Sequence, residues 1–427
     1  MSAAFDILYA STIYPPAIGG AQGHLHRLAT QIGSAGHQVR VITHCSRYRR
    51  DWVRLSTVCC EPPREYLYEG IPVVQLSYSR RCRLKMLPWA VSYYALLGPS
   101  VRRLAGLIGQ EIERLDFSPS VVHLTRIGRE FLARAAIDFA RRRDVPFVIT
   151  PNQHPRWRGF LYREYDKIYR EADAVVVLTD AERDLMVREK GVRPEQIHVT
   201  GVGPVLSEHF SADDFRRRYG VQGPVILFLG QQLPYKGIAS VVEAAPLVWR
   251  RHPEAQFIFI GPETRFSRRL FAAIRDPRIR NLGSVDLETK TSALAACEFL
   301  CLPSTQESFG GVYVEAWSHG KAVIGGRTAQ IASVVDEDQN GLLARQDKNE
   351  LAAAITWLLD NPKACRDMGQ AGWLKTEQNY SWERLAAKTL EVYRAVGALL
   401  PGSDRGVVRA GASDLRVVPA AGYGGAR

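Results

Sequence analysis

Short apolar runs alternate with amphipathic helical segments along almost the whole chain, and most runs end in a loop rich in Gly or Pro. Residues 5–10 and 39–43 flank the first helical segment in this way. The pattern breaks at residues 201–204 and restarts at 224–229. Since parallel strands are joined by helical crossovers, the alternation predicts an α/β protein with two doubly wound parallel sheets.

The length agrees with two domains, because 427 residues exceed one ordinary hydrophobic core. We predict an N-terminal Rossmann-like domain at 1–204 and a second at 205–379. A helix beginning near Ser381 accounts for 380–400. Residues 401–427 are rich in Gly, Ala and Arg without periodicity, so we expect a disordered tail there.

The composition is typical of a soluble globular protein, with 46% hydrophobic and 23% charged residues. The seven cysteines are scattered and odd in number, which favours reduced thiols in the cytoplasm over a disulfide framework. The first residues lack the basic segment of a signal peptide. The sequence has no run of 18 apolar residues, so we expect no membrane-spanning helix.

The formal net charge of +12 raises the question of nucleic-acid binding. Arginine is spread along the chain without a recognised RNA- or DNA-binding motif, so we predict no nucleic-acid partner. An anionic substrate or an anionic membrane surface accounts for the excess equally well.

One basic cluster, residues 80–85, precedes an apolar and aromatic stretch at 86–97. Such a stretch suits a membrane interface, and it also suits a buried helix with charged ends. Pro88 and Gly98 interrupt it and no clean polar face is apparent, which favours the buried helix.

The loop at residues 303–316 carries the strongest signal for a binding site. An apolar run leads through a Pro-Ser turn into small residues and then a helical segment, with Glu307 before the loop and Glu315 in the helix. Backbone amides in such a loop suit a diphosphate, and the carboxylates suit hydroxyl groups. An ordinary strand-to-helix turn with acidic residues would have the same sequence, so it is an alternative interpretation.

Two other loops follow predicted strands. Lys236 lies in the loop after residues 225–229, where it suits either a phosphate or solvent. The glycines of the first loop, including Gly20, lack dinucleotide-binding spacing, and the next strand ends without an acidic residue. A phosphate-binding P-loop and a nucleophile elbow are also missing from the sequence.

The histidines give weaker signals. His154 follows a predicted strand, so it suits hydrogen bonding to a substrate hydroxyl, and an ordinary loop position explains it nearly as well. His24 and His26 are two residues apart on a helix and face different ways, which predicts surface residues and not a metal pair.

Taken in order, these motifs resemble the retaining nucleotide-sugar glycosyltransferases of family four. The resemblance covers residues 5–397 and implies the GT-B fold, in which two Rossmann-like domains face each other across a cleft. The matching segments are Pro16 to Gly20, Gly36 to Val39, Gly230 to Gly237, Glu307 to Glu315, and Asn340 to Leu343.

The resemblance also implies site residues. Lys236, in the loop that begins at Gly230, would neutralise the donor diphosphate, and Glu307 would contact the donor sugar. Glu315 would bind the ribose. The residues implied to present backbone amides to phosphate are Ser308, Phe309, Gly310 and Gly311.

In the N-terminal, acceptor-binding domain, the resemblance implies that Gly20 approaches the donor phosphate and that the family's catalytic histidine matches either Asn152 or His154. We assign this role to His154. A UDP- or GDP-sugar would donate to a hydroxyl of a glycan, a glycolipid or a small molecule. No metal and no cofactor are implied. We expect a cytoplasmic enzyme, with peripheral contact at the inner membrane face as an open alternative.

The sequence departs from the family at Gln231, where an arginine is usual; Arg265 and Arg327 are candidate substitutes. This departure leaves a second hypothesis open, a catalytically silent GT-B-like scaffold that binds a nucleotide or a partner.

Overall fold

The computed structural model describes residues 4–16, 20–45, 64–125, 129–153, 157, 159–398 and 416–418. The chain forms two compact units. The first contains the chain to Leu178, Glu182–Thr200, and the described residues from Leu385 on. The second contains Gly201–Arg384 together with Thr179–Ala181.

The first unit is built on a largely parallel sheet. Its strands are β1 (Asp6–Ile13), β2 (Gln38–Cys45), β3 (Arg64–Tyr68), β4 (Ile71–Gln75), β5 (Val121–Thr125), β6 (Phe147–Thr150), β7 (Ala174–Val177) and β8 (Ile197–Val199). They lie in the order β3-β4-β2-β1-β5-β6-β7-β8, and only the β3–β4 hairpin is antiparallel. Every described position of β5 is buried, as expected of a strand covered on both faces.

Six helices connect these strands: α1 (Gly20–Ser34), α2 (Arg80–Val91), α3 (Leu97–Ile112), α4 (Glu130–Arg142), α5 (Arg163–Glu171) and α6 (Asp180–Lys190). The main core of this unit joins α3 and α4 to the sheet. Val101, Leu104 and Ile108 recur at helical spacing along α3 and are fully buried there.

The second unit has a wholly parallel sheet. Its strands are β9 (Val225–Leu229), β10 (Gln256–Ile260), β11 (Ile279–Gly283), β12 (Phe299–Leu302), β13 (Ala322–Gly326) and β14 (Gly341–Ala344). Its helices are α7 (Ala212–Arg218), α8 (Ile238–Val248), α9 (Arg265–Ala272), α10 (Leu287–Ala296), α11 (Gly311–Trp317), α12 (Ala329–Ala332), α13 (Lys348–Asp360) and α14 (Pro362–Asn379). The prediction of two parallel-sheet α/β units is confirmed.

The strand order of the second sheet is β11-β10-β9-β12-β13-β14. The chain therefore winds outward from β9 in one direction and from β12 in the other. The crevice where the winding reverses, at the carboxyl ends of β9 and β12, is where open α/β sheets bind ligands.

The described residues from Leu385 on, which include most of the last helix, belong to the first unit. In α15 (Trp382–Ala395), the hydroxyl of Tyr393 lies 2.9 Å from that of Tyr9 on β1 and 2.7 Å from Nδ1 of His123 on β5. Within the predicted disordered tail, β15 (Arg416–Val418) pairs with β3. The rest of that tail lies outside the described residues.

Two expectations about helix surfaces are wrong. His24 and His26 are buried, because α1 is covered over a wide arc: the His26 ring contacts Tyr14 Oη at 2.8 Å and Glu69 Oε2 at 2.9 Å. The predicted buried helix at 86–97 is also wrong, since Met86 is the one buried residue within α2. Periodicity gives the faces of a helix and does not reveal which of them the fold covers.

Buried histidines make the stability of the first unit depend on pH. Burial lowers the pKa of His44 to about 4 and that of His123 to about 3, from a usual 6.5. The unfolded chain therefore binds protons that the folded chain does not. Their contribution to stability is present above pH 6.5 and is lost as the pH falls below it.

We expect each of these histidines to contribute about 2 kcal/mol of destabilisation between pH 7 and pH 5. Urea unfolding at a series of pH values measures it. His44→Gln should flatten the pH dependence by about one proton, whereas the exposed control His209→Gln should leave it unchanged. An unaltered slope in His44→Gln would contradict this account.

Candidate functional site

Two loops at the carboxyl ends of β9 and β12 contain most of the predicted site residues. After β9, Gly230 begins a loop that ends in a short 3-10 turn, Pro234–Lys236. Gly237 follows with φ of 81°, and a Cβ there would lie 2.7 Å from the Pro303 ring. Glycine is needed at this position because it adopts the left-handed conformation and lets the two loops touch.

Hydrogen bonds fasten the loops together. The Tyr235 carbonyl accepts from the Thr305 amide at 2.9 Å and from Gln346 Nε2 at 2.7 Å. Gln346 Nε2 also donates to the Pro303 carbonyl at 2.8 Å. This bracing fixes the backbone on either side of the charged residues that the loops carry.

Lys236 and Glu307 are brought into direct contact. The Lys236 ammonium forms an ion pair with Glu307 Oε1, and both side chains are largely buried. The family resemblance implies separate contacts for them, Lys236 with the diphosphate and Glu307 with the sugar. The two groups instead neutralise each other, so an anion entering here has to share or displace this pair.

The glycine loop between Glu307 and α11 is tightly packed. Gly310 has φ of 86°, and a Cβ on it would lie 2.4 Å from the Tyr313 ring. The Tyr313 hydroxyl donates to the Leu302 carbonyl at 2.8 Å. Phe309 is buried edge-on against Tyr380, with ring centroids 5.3 Å apart. The loop backbone is therefore held in one path.

The amides of this loop remain candidates for anion contacts. Gly310 is the N-cap of α11 and offers no side chain to its first turn. A Cβ on Gly311 would lie 3.3 Å from Val202, so larger residues would crowd the same turn. Ser308 is half-buried beside them. The residues predicted to bind phosphate, Ser308 to Gly311, therefore directly follow Glu307, which pairs with Lys236.

Glu315 lies at a second polar position, on α11. Its Oε1 atom is 2.9 Å from Lys290 Nζ and accepts from the Val205 amide at 3.3 Å. Lys290 Nζ also donates to the Val205 carbonyl at 2.6 Å. The Oε2 atom is buried and has no hydrogen-bond partner among the described residues. A buried carboxylate oxygen without a partner is a site for a ligand hydroxyl donor.

Sequence reasoning missed Lys290. It is one lysine in an otherwise ordinary helix, α10, with no motif around it, and nothing in the sequence places it 25 positions away against Glu315. Its contact depends on how α10 packs beside α11.

Arg327 and Arg265 are the two candidate substitutes for the arginine that the family usually has at the position of Gln231. Arg327 pairs with Glu337 at 3.0 and 2.7 Å and donates to the Leu343 carbonyl. Arg265 is exposed at the start of α9, next to Thr264, whose hydroxyl donates to the Gln232 carbonyl at 2.8 Å. Arg265 therefore begins a helix fastened to the loop that contains Gln231.

The remaining predicted residues belong to the first unit. Gly20 is the first residue of α1, and a Cβ there would have no neighbour within 4 Å among the residues that the structure describes. His154 lies outside the described residues. Among the described residues no group of three His, Cys, Asp or Glu side chains is arranged to hold a metal ion. The described part of the chain also has no helix that meets the length and hydropathy of a membrane span.

Comparison with known proteins gives two family matches. Residues 19–203 match the model of the glycosyl transferase 4-like domain, and residues 223–361 match that of the glycosyl transferases group 1. A phosphatidyl-myo-inositol mannosyltransferase of Mycobacterium tuberculosis is 32% identical over 392 residues, covering 88% of this chain and 93% of its own. The chain belongs to the family-four glycosyltransferases.

Other similarities agree with this assignment. A glycogen synthase of Mycobacterium tuberculosis is 27% identical over 414 residues, covering 91% of this chain and 94% of its own. The structure of Anabaena HepE, in complex with UDP and glucose, superposes with a TM-score of 0.65 at 17% identity, covering 92% of this chain and 100% of that one. The two parallel-sheet units of this glycosyltransferase have the GT-B fold.

Breaking the Lys290–Glu315 pair should destabilise the second unit. Lys290→Met leaves a buried carboxylate without its cation, which we expect to cost about 3 kcal/mol. Urea unfolding followed by circular dichroism measures the loss. The exposed control Lys348→Met should leave stability unchanged.

Removing both the Lys290 and the Glu315 charge tests whether an unpaired buried charge causes the loss of stability. The double variant Lys290→Met/Glu315→Gln should recover most of the lost stability, because no unpaired charge remains buried. Equal stability of Lys290→Met and the wild type would contradict the proposed pairing.

Proposed function

We propose that this glycosyltransferase moves a sugar from a nucleotide diphosphate donor to an acceptor hydroxyl with retention of the anomeric configuration. One observation carries the proposal: Lys236, Glu307 and the unpartnered Glu315 Oε2 are held in elements that follow β9 and β12. Their chemistry suits the three parts of such a donor, which are diphosphate, sugar and ribose.

On the ribose side, Glu315 Oε2 accepts a hydrogen bond from a ribose hydroxyl, while Oε1 stays bound to Lys290 and Val205. Because Lys290 neutralises this carboxylate, the diphosphate meets less repulsion from it. UDP- and GDP-sugars both present this ribose, and the UDP complex of HepE supports the uridine form.

On the diphosphate side, Lys236 exchanges its partner. In the structure it pairs with Glu307. The entering phosphates attract the ammonium, and the Glu307 carboxylate is released toward the donor sugar. Backbone amides of Ser308 to Gly311 add hydrogen bonds to phosphate. The exchange therefore couples donor binding to the exposure of Glu307.

The reaction passes through an oxocarbenium-like transition state while negative charge grows on the departing diphosphate. Donors aimed at that charge before the reaction lower the barrier most. Lys236 and the loop amides supply them, so we propose that the transfer needs no divalent metal. Full activity after treatment with EDTA supports this part, and loss of activity restored by added Mg²⁺ or Mn²⁺ refutes it.

The acceptor is a hydroxyl of a glycan, a lipid-linked sugar or a small molecule. The relatives named glycogen synthase and phosphatidyl-myo-inositol mannosyltransferase represent a glycan and a lipid class. We assign the acceptor to the first unit, and we place the enzyme in the cytoplasm with peripheral contact at the membrane.

The second candidate is a catalytically silent scaffold with the same fold. Gln231, in place of the arginine usual in the family, is the observation that favours it, because one cation at the diphosphate is then missing. Calorimetry against UDP, GDP and ADP separates the two: a scaffold for a protein partner binds none of them. Nucleotide binding without turnover of any donor would favour a silent nucleotide-binding scaffold.

Retention is tested on the released sugar. When an α-linked donor is hydrolysed slowly without acceptor, proton NMR at early times should show the α-anomer, before mutarotation. A β-anomer at early times would show inversion and overturn this part of the proposal.

Lys236→Ala and Glu307→Ala should each keep the fold and lose most transfer. Removing one charge-stabilising group typically raises the barrier by about 3–4 kcal/mol, a fall in kcat of about 10² to 10³. Initial rates with a saturating donor measure the loss, and circular dichroism checks the fold. Lys348→Ala, on the exposed side of α13, is the matched control. Full activity in either purified site variant would falsify the assignment.

A further inference from the structure

Helix α2 turns apolar side chains toward solvent. Met86 is its one buried residue, whereas Leu84, Leu87 and Val91 are exposed. These three follow helical spacing and form one stripe. Leu84 is 70% exposed and Val91 is 74% exposed. An ordinary surface helix packs its apolar stripe against the core, whereas α2 exposes its apolar stripe to solvent.

The exposed apolar surface continues beyond the helix. Tyr94 and Leu96, in the turn between α2 and α3, are also exposed. Of the twelve exposed large apolar side chains among the described residues, five lie between positions 84 and 96. Single exposed apolar residues are ordinary, but a concentration of this kind marks an interaction surface.

A second segment of the first unit adds to it. Phe160, which is 67% exposed, and Leu161 immediately precede α5. The start of α5 lies beside the start of α3, because a Cβ on Gly98 would lie 3.5 Å from Glu164 Oε1. Phe160 and Leu161 thus precede a helix whose first turn lies beside Gly98, two residues after Leu96.

The same region is strongly basic. Residues 70–110 contain no Asp or Glu and six basic residues, which equal half of the formal net charge of +12. The six are Arg80, Arg81, Arg83, Lys85, Arg102 and Arg103. On α2, Arg80, Arg81 and Lys85 are exposed, and Arg80 lies one turn before Leu84 on the same stripe.

We propose that this surface docks the glycosyltransferase on an anionic lipid bilayer. We call it the α2 surface and define it by Arg80, Arg81, Leu84, Lys85, Leu87 and Val91. The helix lies in the plane of the headgroups, with the leucines and Val91 at the headgroup–acyl boundary. The basic side chains contact lipid phosphates.

The chemistry favours a bilayer over other occupants. A nucleic acid would use the basic side chains but gains little from exposed aliphatic residues, since its specific contacts are stacking and phosphate pairing. A bilayer uses both kinds of side chain along one helix. The inference deepens the acceptor part of the proposed function: the first unit would meet a lipid-linked acceptor at the membrane surface.

Co-sedimentation with vesicles tests the docking. The full-length protein is mixed with phosphatidylcholine vesicles, with and without phosphatidylglycerol, at low salt. We expect binding to the anionic vesicles that weakens as salt is added, and weak binding to the neutral vesicles. An unbound wild-type protein at low salt overturns the proposal.

Two double variants separate the charged and apolar contributions. Arg81→Gln/Lys85→Gln should lower the partition coefficient by about twentyfold, since each basic residue near such a surface contributes a factor of about five. Leu84→Gln/Val91→Gln should lower it by about tenfold or more. All four positions are exposed or solvent-facing, so folding should be unaffected.

Matched controls use the second unit. Arg268→Gln/Arg269→Gln on α9 and Trp373→Gln/Leu374→Gln on α14 remove the same kinds of exposed side chain. Both should bind vesicles within twofold of the wild type. Equal losses in control and α2 variants would show a nonspecific effect and overturn the assignment, as would retention on an RNA oligomer without vesicle binding.

Donor binding keeps the two proposals distinguishable. Calorimetry with UDP or GDP should give the same affinity for the wild type and for both α2 variants. If the wild type binds vesicles but no nucleotide, the donor proposal fails and the docking surface stands. If it binds nucleotide and no vesicles, the docking surface fails alone.

Discussion

The juxtaposition of β9 and β12 in the second sheet determines the candidate site. Because the chain winds away from these two strands in opposite directions, their carboxyl ends open side by side. Each end carries one of the charged residues that pair, Lys236 and Glu307. The close loop contact at Gly237 and the hydrogen bonds to the Tyr235 carbonyl hold this arrangement. The two charged residues are 71 positions apart in the sequence, and the strand order brings them into contact.

Glu307 and Glu315 each have a basic partner, and the two ion pairs differ in which carboxylate oxygens they leave open. Glu307 is engaged by Lys236, which a diphosphate would attract away. Glu315 keeps Lys290 and presents its other oxygen, which is buried without a partner. Under the proposed function, donor binding would release Glu307, whereas Glu315 would already present its free oxygen. This difference follows from geometry and fits sugar and ribose roles respectively.

Local sequence patterns are enough to predict the two sheets and to single out three charged residues of the candidate site. The apolar runs predict two parallel-sheet units. Lys236 and Glu307 stand out because they lie in loops after predicted strands, and Glu315 because it lies in the helix that follows Glu307. Contacts set by tertiary packing were not accessible. Lys290 has no motif, and its meeting with Glu315 depends on α10 lying beside α11. The burial of His26 depends on Glu69 in a distant hairpin. The exposure of α2 could not be inferred, because a pattern of apolar residues does not say whether the fold covers them.

The central claim is that the β9–β12 site turns over a nucleotide sugar. The most direct measurement is the release of nucleoside diphosphate from a panel of UDP-, GDP- and ADP-sugars, comparing the wild type with Glu307→Gln. This account predicts that the wild type releases UDP or GDP from at least one donor and that Glu307→Gln releases far less. Release from no donor, or equal release by both proteins, would contradict it.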